Sequence, residues 1–301
     1  MGAGAAGPGA GAGTGAGAPG PGSGLEGRSA LVTGGGSGIG LATATRFALD
    51  GATVTICGRT REKLADAVAA IDRAVADQGG AGRAGGGAGS GGAPASHYVV
   101  ADVTVEEQIA AAVDAAAVPT GRLDVLFACA GGSHHMGPML EADVAAVRAT
   151  IDLNLVGSYL SLKHAAASMR RDGGGGVVVL MSSGAGRFPH RWLWAYGMSK
   201  AAVESLCSYA AEELGGDGIR VNVVQPGIVD DELMSFITAG GPLLDDYLAQ
   251  MPISRTGTVE DVAAAVRYLA GPEAGWVTGT CLAVDGGHHL RRGADYSLLL
   301  G

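Results

Sequence analysis

Tyr196 and Lys200 stand four residues apart in Tyr196-Gly197-Met198-Ser199-Lys200. On a helix that spacing puts a phenol and an ammonium on one face, one turn apart. A free tyrosine ionises near pH 10, so acid-base work near neutrality asks for a shift of roughly three units, or about 4 kcal/mol. A neighbouring cation favours the phenolate and so has the right sign. Taken alone, the two residues are far more often an ordinary surface pair. Ser183 changes the balance: it lies thirteen residues before Tyr196, just beyond the apolar run Val177 to Met181. A hydroxyl at the carboxyl end of a strand can hydrogen-bond a substrate oxygen, although a serine there can also merely satisfy its own turn.

A second group of residues points to a bound phosphate. The apolar run Ala30 to Thr33 leads directly into Thr33-Gly34-Gly35-Gly36-Ser37-Gly38-Ile39-Gly40, and a helical pattern follows over Leu41 to Leu49. Such turns let backbone approach a pyrophosphate, and the helix start offers free N–H groups and a positive dipole end. A glycine-rich pattern by itself is weak; its place at the first strand-to-helix junction favours a dinucleotide site over a plain turn.

The elements that must position these groups can be read from periodicity. Strand candidates are Ala30 to Thr33, Thr53 to Cys57, His97 to Ala101, Leu123 to Ala128, Val177 to Met181, Ile219 to Val224 and Thr280 to Val284. Helical patterns fill Arg61 to Asp77, Val105 to Val118, Asp143 to Met169, Ser199 to Leu214 and Val259 to Leu269. Apolar strands alternating with helices predict a seven-stranded parallel sheet covered on both faces, in a single doubly wound Rossmann-type α/β domain. The domain is expected over residues 27–290. A Gly/Ala/Pro-rich tail is expected over 1–26, a Gly-rich surface loop over 79–96, and a terminal tail over 291–301 that packs on a neighbouring subunit or stays disordered.

In this order the motifs resemble those of the short-chain dehydrogenase/reductase family, over about Gly27 to Gly287. The resemblance implies Asn154, Ser183, Tyr196 and Lys200 as catalytic groups. Ser183 would polarise the substrate oxygen while Tyr196 moves its proton. Lys200 would bind the nicotinamide ribose and lower the tyrosine pKa, and Asn154 would hold a water linking Lys200 to solvent. It further implies cofactor contacts at Thr33, Gly34, Ser37, Gly38, Ile39 and Gly40, at Asp102 and Val103 beside the adenine, and at Ala130, Gly131, Pro226, Gly227 and Val229. Two positions depart from the family pattern. Ala128-Cys129-Ala130-Gly131 lacks the common asparagine that braces the sheet, and Asp231 stands near the position of a threonine that meets the nicotinamide carboxamide.

The second strand ends in Cys57-Gly58-Arg59. An acid there would pair with a ribose 2′-hydroxyl and repel a phosphate; Arg59 instead offers charge-assisted bonds to a 2′-phosphate. NADP(H) is therefore the expected cofactor, with NAD(H) the alternative. Substrate-pocket candidates are His134, with His135 or Met136 beside it, Trp192, Trp194 and Met234; Trp192 and Trp194 belong to the stretch Phe188 to Trp194, the better candidate because catalytic residues tether it at both ends. Met234 belongs to a segment, Leu233 to Met251, where the resemblance implies a substrate lid, and its Met234, Phe236, Leu243 and Leu244 indicate an apolar substrate.

Composition narrows the partners. The formal charge is −9 and no basic run is present, which argues against nucleic acid. Four scattered cysteines form no CxxC pair, arguing against disulfides and zinc and for a reducing cytoplasm. His134-His135 and His288-His289 lack the spacing of metal ligands, so no metal is expected. No run reaches the length of a membrane span. The expected partners are a small-molecule substrate and further copies of the chain, as a homodimer or homotetramer. A dinucleotide-binding sensor without catalysis is the competing function, and the pairing of Tyr196 with Lys200 speaks against it; reduction of an activated double bond on the same scaffold ranks last, since it would use a tyrosine and lysine at a different spacing.

Overall fold

The computed structural model describes residues 24–82, 96–171, 173–232, 234–291, 293 and 296–299. Most of the expected amino-terminal tail, the centre of the Gly-rich loop and parts of the expected carboxyl-terminal tail lie outside the described residues. Strands and helices alternate: β1 Ser29–Thr33, α1 Gly38–Leu49, β2 Thr53–Gly58, α2 Arg61–Gly82, β3 His97–Val100, α3 Glu106–Ala117 and β4 Val125–Ala128. There follow α4 Val144–Ile151, α5 Gly157–Arg171, β5 Gly176–Met181, α6 Gly184–Arg187, α7 Trp194–Leu214, β6 Ile219–Pro226, β7 Val229–Asp230, α8 Ser235–Thr238, α9 Pro242–Gln250, β8 Gly257–Thr258, α10 Val259–Ala270 and β9 Cys281–Val284.

Seven strands form one parallel sheet, as the alternation predicts, and the sheet takes the order β3-β2-β1-β4-β5-β6-β9. Because side chains alternate across a strand, each strand supplies both faces. Val32, Ile56, Phe127 and Val179 pack under α1, α2 and α10, whereas Leu31, Cys57, Leu126 and Val178 pack under α3, α5 and α7. Phe47 of α1 and Phe127 of β4 are fully buried, each worth about 2 to 3 kcal/mol in area removed from water.

Chain direction across the sheet reverses between β1 and β4, which opens a crevice at their carboxyl ends. The Thr33 hydroxyl at the end of β1 accepts the backbone N–H groups of Cys129 and Ala130, both at 3.1 Å. That bond ties β1 to β4 at the crevice floor, where the commoner asparagine is replaced by Cys129.

Two expectations about the ends are corrected. Leu25 is completely buried in the core under α1 and α10, so the folded chain starts before residue 27. Tyr296 is likewise buried within its own subunit, so this part of the terminal segment packs inward. The single helix expected over Asp143 to Met169 is interrupted by a π turn over Asp152–Val156, which contains Asn154.

Candidate active site

The glycine turn wraps the amino end of α1. Gly38 has φ +52, a left-handed conformation that disfavours a side chain, and a Cβ there would come 2.8 Å from an Asp231 carboxylate oxygen. A Cβ on Gly40 would collide with the carbonyl of Gly34. Ser37 takes the N-cap position without a side-chain cap bond, and the first turn of α1 carries no acid. The helix start is thus bare backbone facing the crevice, the form a pyrophosphate requires.

Beyond the turn, Gly58, Arg59 and Thr60 line the same cavity at the end of β2, with Asp102 and Val103 opposite. Burial works to raise the Asp102 pKa, but bonds from the Thr104 N–H (2.9 Å) and hydroxyl (2.7 Å), with the charge of Arg59, hold it below the usual carboxylate range. A cradle that side chains would fill, a free helix start and a cation at the β2 end together fit a dinucleotide.

The catalytic candidates converge at the other end. Helix α7 begins at Trp194, earlier than periodicity indicates, so Tyr196 and Lys200 both sit in its first turns. Lys200 is buried; its ammonium donates to the Met181 carbonyl at 2.9 Å and lies 5.6 Å from the centre of the Tyr196 ring. The hydroxyls of Ser183 and Tyr196 are hydrogen-bonded. Ser183 also caps α6 by accepting the Ala185 N–H at 3.3 Å.

The electrostatics correct one expectation. Burial pushes the Tyr196 phenol up to about 12, only partly opposed by the Ser183 bond. Burial likewise lowers Lys200 to about 8, with Cys129 pulling the other way. Desolvation dominates in the protein alone, so Tyr196 is a protonated acid near neutrality.

Asn154 is fully buried. Its amide donates to the carbonyls of Gly132 (2.7 Å) and Thr150 (2.9 Å), and its oxygen accepts the Gly132 N–H at 3.0 Å. The side chain therefore fixes the loop after β4. A Cβ on Gly131 would come 2.7 Å from the Asn154 oxygen and 3.0 Å from the Lys200 ammonium, so both side chains close on the backbone of Gly131 and leave no room for a side chain there.

One cavity of about 630 Å³ joins the two ends. It is lined by Gly34, Ser37, Gly38, Ile39, Gly40, Arg59, Asp102, Val103, Ala130, Gly131, Ser183, Tyr196, Lys200, Pro226, Gly227 and Val229, together with Asp231. Thr33 and Asn154 stand behind this wall and brace it. Of the pocket candidates, Met234 and Met136 line the cavity, whereas His134, His135, Trp192 and Trp194 do not. His134 is exposed, its N–H bonded to the Thr150 hydroxyl at 3.0 Å. Trp194 packs edge-on against His135 at 5.7 Å, and Trp192 packs against the apolar cluster of Leu193, Ile228 and Leu243. In the lid segment Phe236 lines the cavity, whereas Leu243 and Leu244 pack into that cluster.

His190, in the pocket-candidate stretch Phe188 to Trp194, and Tyr247, in the expected lid segment, both line the cavity. So do His288 and Tyr296, which sequence reasoning does not assign to the pocket and which share no motif. Only their apolar flanks signal that such segments are covered. Among the described residues no group of three His, Cys, Asp or Glu side chains is placed to hold a metal, and no helix is long and apolar enough to cross a membrane.

Residues 34–289 match a family model described as enoyl-(acyl carrier protein) reductase. The chain is 37% identical to cis-4-hydroxycyclohexanecarboxylate dehydrogenase of Sinomonas cyclohexanicum, across 87% of this chain and 96% of that one. It is 35% identical to a galactitol 2-dehydrogenase (L-tagatose-forming) of Cereibacter sphaeroides, across 88% and 96%. Among solved structures, a short-chain type dehydrogenase/reductase from Mycobacterium ulcerans superposes with a TM-score of 0.85 at 42% identity, covering 92% of this chain and 95% of that one.

Proposed function

Because the chain belongs to the short-chain dehydrogenase/reductase family and is a nicotinamide-dinucleotide oxidoreductase of CH–OH groups, we propose that it interconverts a secondary alcohol and its carbonyl compound with NADP(H). The observation that carries this reading is the single cavity running from Arg59 and the glycine turn to Ser183, Tyr196 and Lys200.

A bound nicotinamide supplies or receives the hydride. The rest falls to the protein. In reduction, Ser183 donates a hydrogen bond to the carbonyl oxygen and holds it beside the Tyr196 hydroxyl. Tyr196, kept protonated by burial, gives its proton to that oxygen as negative charge develops there. Lys200, anchored by the Met181 carbonyl, places positive charge near the phenolate that remains and favours it over reprotonation from the substrate side. Asn154 keeps Gly131 and Gly132 in place against Lys200.

Arg59 supports the choice of NADP(H): it lines the cavity where β2 ends, a position occupied in NAD-selective sites by an acid. Ala185, Leu193, Ile228, Met234 and Phe236 line the substrate end and favour a largely hydrocarbon substrate. Exposed Tyr159 on α5 and Tyr209 on α7 favour assembly into a homodimer or homotetramer. The free thiols of Cys57, Cys129, Cys207 and Cys281 suit a reducing cytoplasm.

Substitution Tyr196→Phe tests the reading. Turnover of ketones is expected to fall by at least about a thousandfold, while NADPH binding by fluorescence titration is retained, since the proton donor is removed without altering the cradle. Wild type that binds NADPH yet turns over no ketone or alcohol would support the sensor instead.

A further inference from the structure

Tyr247 on α9 and Tyr296 in the carboxyl-terminal segment are each only 4% exposed, and both line the catalytic cavity. Their hydroxyls lie 2.9 Å apart, and among the described residues they hydrogen-bond only to each other. Whichever phenol donates, one O–H of the pair is left over, and a phenol buried against apolar walls needs a partner for it. Tyr196 lines the same cavity and packs into the same apolar cluster as the pair, close enough to Tyr247 and Tyr296 for their ionisations to be coupled.

Two imidazoles back the pair. His190 stands 5.9 Å from the Tyr247 ring and 6.1 Å from the Tyr296 ring, and His288 stands 5.4 Å from Tyr247 and 5.8 Å from His190. His190 donates from Nδ1 to the Phe188 carbonyl, 3.1 Å away, and burial lowers it to about 4, so it is neutral under physiological conditions. Among the described residues, the charged side chains lining the cavity are Arg59, Lys63, Asp102, Asp231 and Glu232 around the cofactor cradle and Lys200 beside Tyr196, and Asp246 stands behind the far wall next to Tyr247. The far wall is thus polar, and among the described residues no lysine or arginine lines it.

Building on the reading of this cavity as a ketone and alcohol site, we propose that Tyr247 and Tyr296 bind a second, uncharged oxygen of the substrate. The substrate class is then a compact hydroxy-ketone or diol, with one oxygen at Ser183 and Tyr196 and another at the tyrosine pair. A carboxylate in the same place would meet no cation and would have to lose its hydration without an ion pair. The pair also makes the terminal segment part of the specificity wall of its own subunit.

The test compares NADPH-dependent reduction of cyclohexanone with that of 2-, 3- and 4-hydroxycyclohexanone and of 4-oxocyclohexanecarboxylate. The best hydroxy-ketone is expected to exceed cyclohexanone at least tenfold in kcat/KM, and the carboxylate to fall below it. Tyr247→Phe and Tyr296→Phe, each with an unchanged melting temperature, should bring that ratio to within about twofold of unity. A general loss of packing would lower both substrates alike and leave the ratio standing. Wild type that reduces cyclohexanone without preferring any hydroxy-ketone, a ratio that survives both substitutions, or a preference for the carboxylate overturns the inference while the proposed reaction stands. If none of these ketones is reduced although NADPH binds, the underlying reading fails with it.

Discussion

The ammonium of Lys200 lies 5.6 Å from the centre of the Tyr196 ring while donating to the Met181 carbonyl at 2.9 Å. A lysine so enclosed is destabilising in its charged form. Its pKa falls from 10.5 to about 8 on folding, so between those values the unfolded chain holds more protons and stability rises with pH. The destabilisation is fully present below pH 8. Relative to Lys200→Met, which lacks the titration, wild type should gain about 2 kcal/mol between pH 7 and pH 10. Urea unfolding of both proteins at several pH values measures the difference and cancels the cysteines they share. A constant gap would show that the lysine is not desolvated.

The strands, their parallel order and the glycine turn were legible because each rests on local residues: β-branched runs, helical spacing, and glycines where a side chain cannot fit. Tyr196 and Lys200 were legible for the same reason, being one turn apart. The tyrosine's acidity was not, because spacing reports a neighbouring cation and says nothing of the burial that raises the phenol. Nor was the far wall of the cavity. His190, Tyr247, His288 and Tyr296 meet only through tertiary packing, whereas Trp192 and Trp194, adjacent in sequence to the catalytic tyrosine, turn elsewhere.

The brace at Thr33 should carry measurable stability. Its hydroxyl is buried and receives two backbone N–H groups from the loop after β4. Thr33→Val keeps the shape and removes the acceptor, leaving those donors poorly satisfied, at a cost of about 2 kcal/mol. Thermal or chemical unfolding reads it, and a stability unchanged within about 0.5 kcal/mol would place the tie between β1 and β4 elsewhere.

Selectivity between the two dinucleotides should respond to Arg59. Wild type is expected to show the higher kcat/KM with NADPH, and Arg59→Ser to lower that value by about tenfold or more, the scale of one lost charge-assisted contact. The NADH value should change little, because a 2′-hydroxyl offers no charge to the guanidinium. Steady-state rates with both cofactors decide it; a wild type that favours NADH would overturn the assignment.

Asp231 offers a sharper test of where the phosphates lie. Its carboxylate stands over Gly38 at the start of α1, 2.8 Å from where a Cβ would be, and also accepts the Met234 N–H at 2.9 Å. A negative charge beside the pyrophosphate cradle opposes the bound anion, by roughly 1 kcal/mol for a half-exposed pair at an effective dielectric of a protein surface. Asp231→Asn removes the charge while its amide oxygen can still accept from Met234, so the loop stays capped. Binding of NADPH, followed by fluorescence titration, is expected to tighten about fivefold, and the gain should shrink as salt rises and screens the repulsion. Weaker binding in the variant would mean that the carboxylate accepts a hydrogen bond from the cofactor, which is the role the family gives to a threonine near this position.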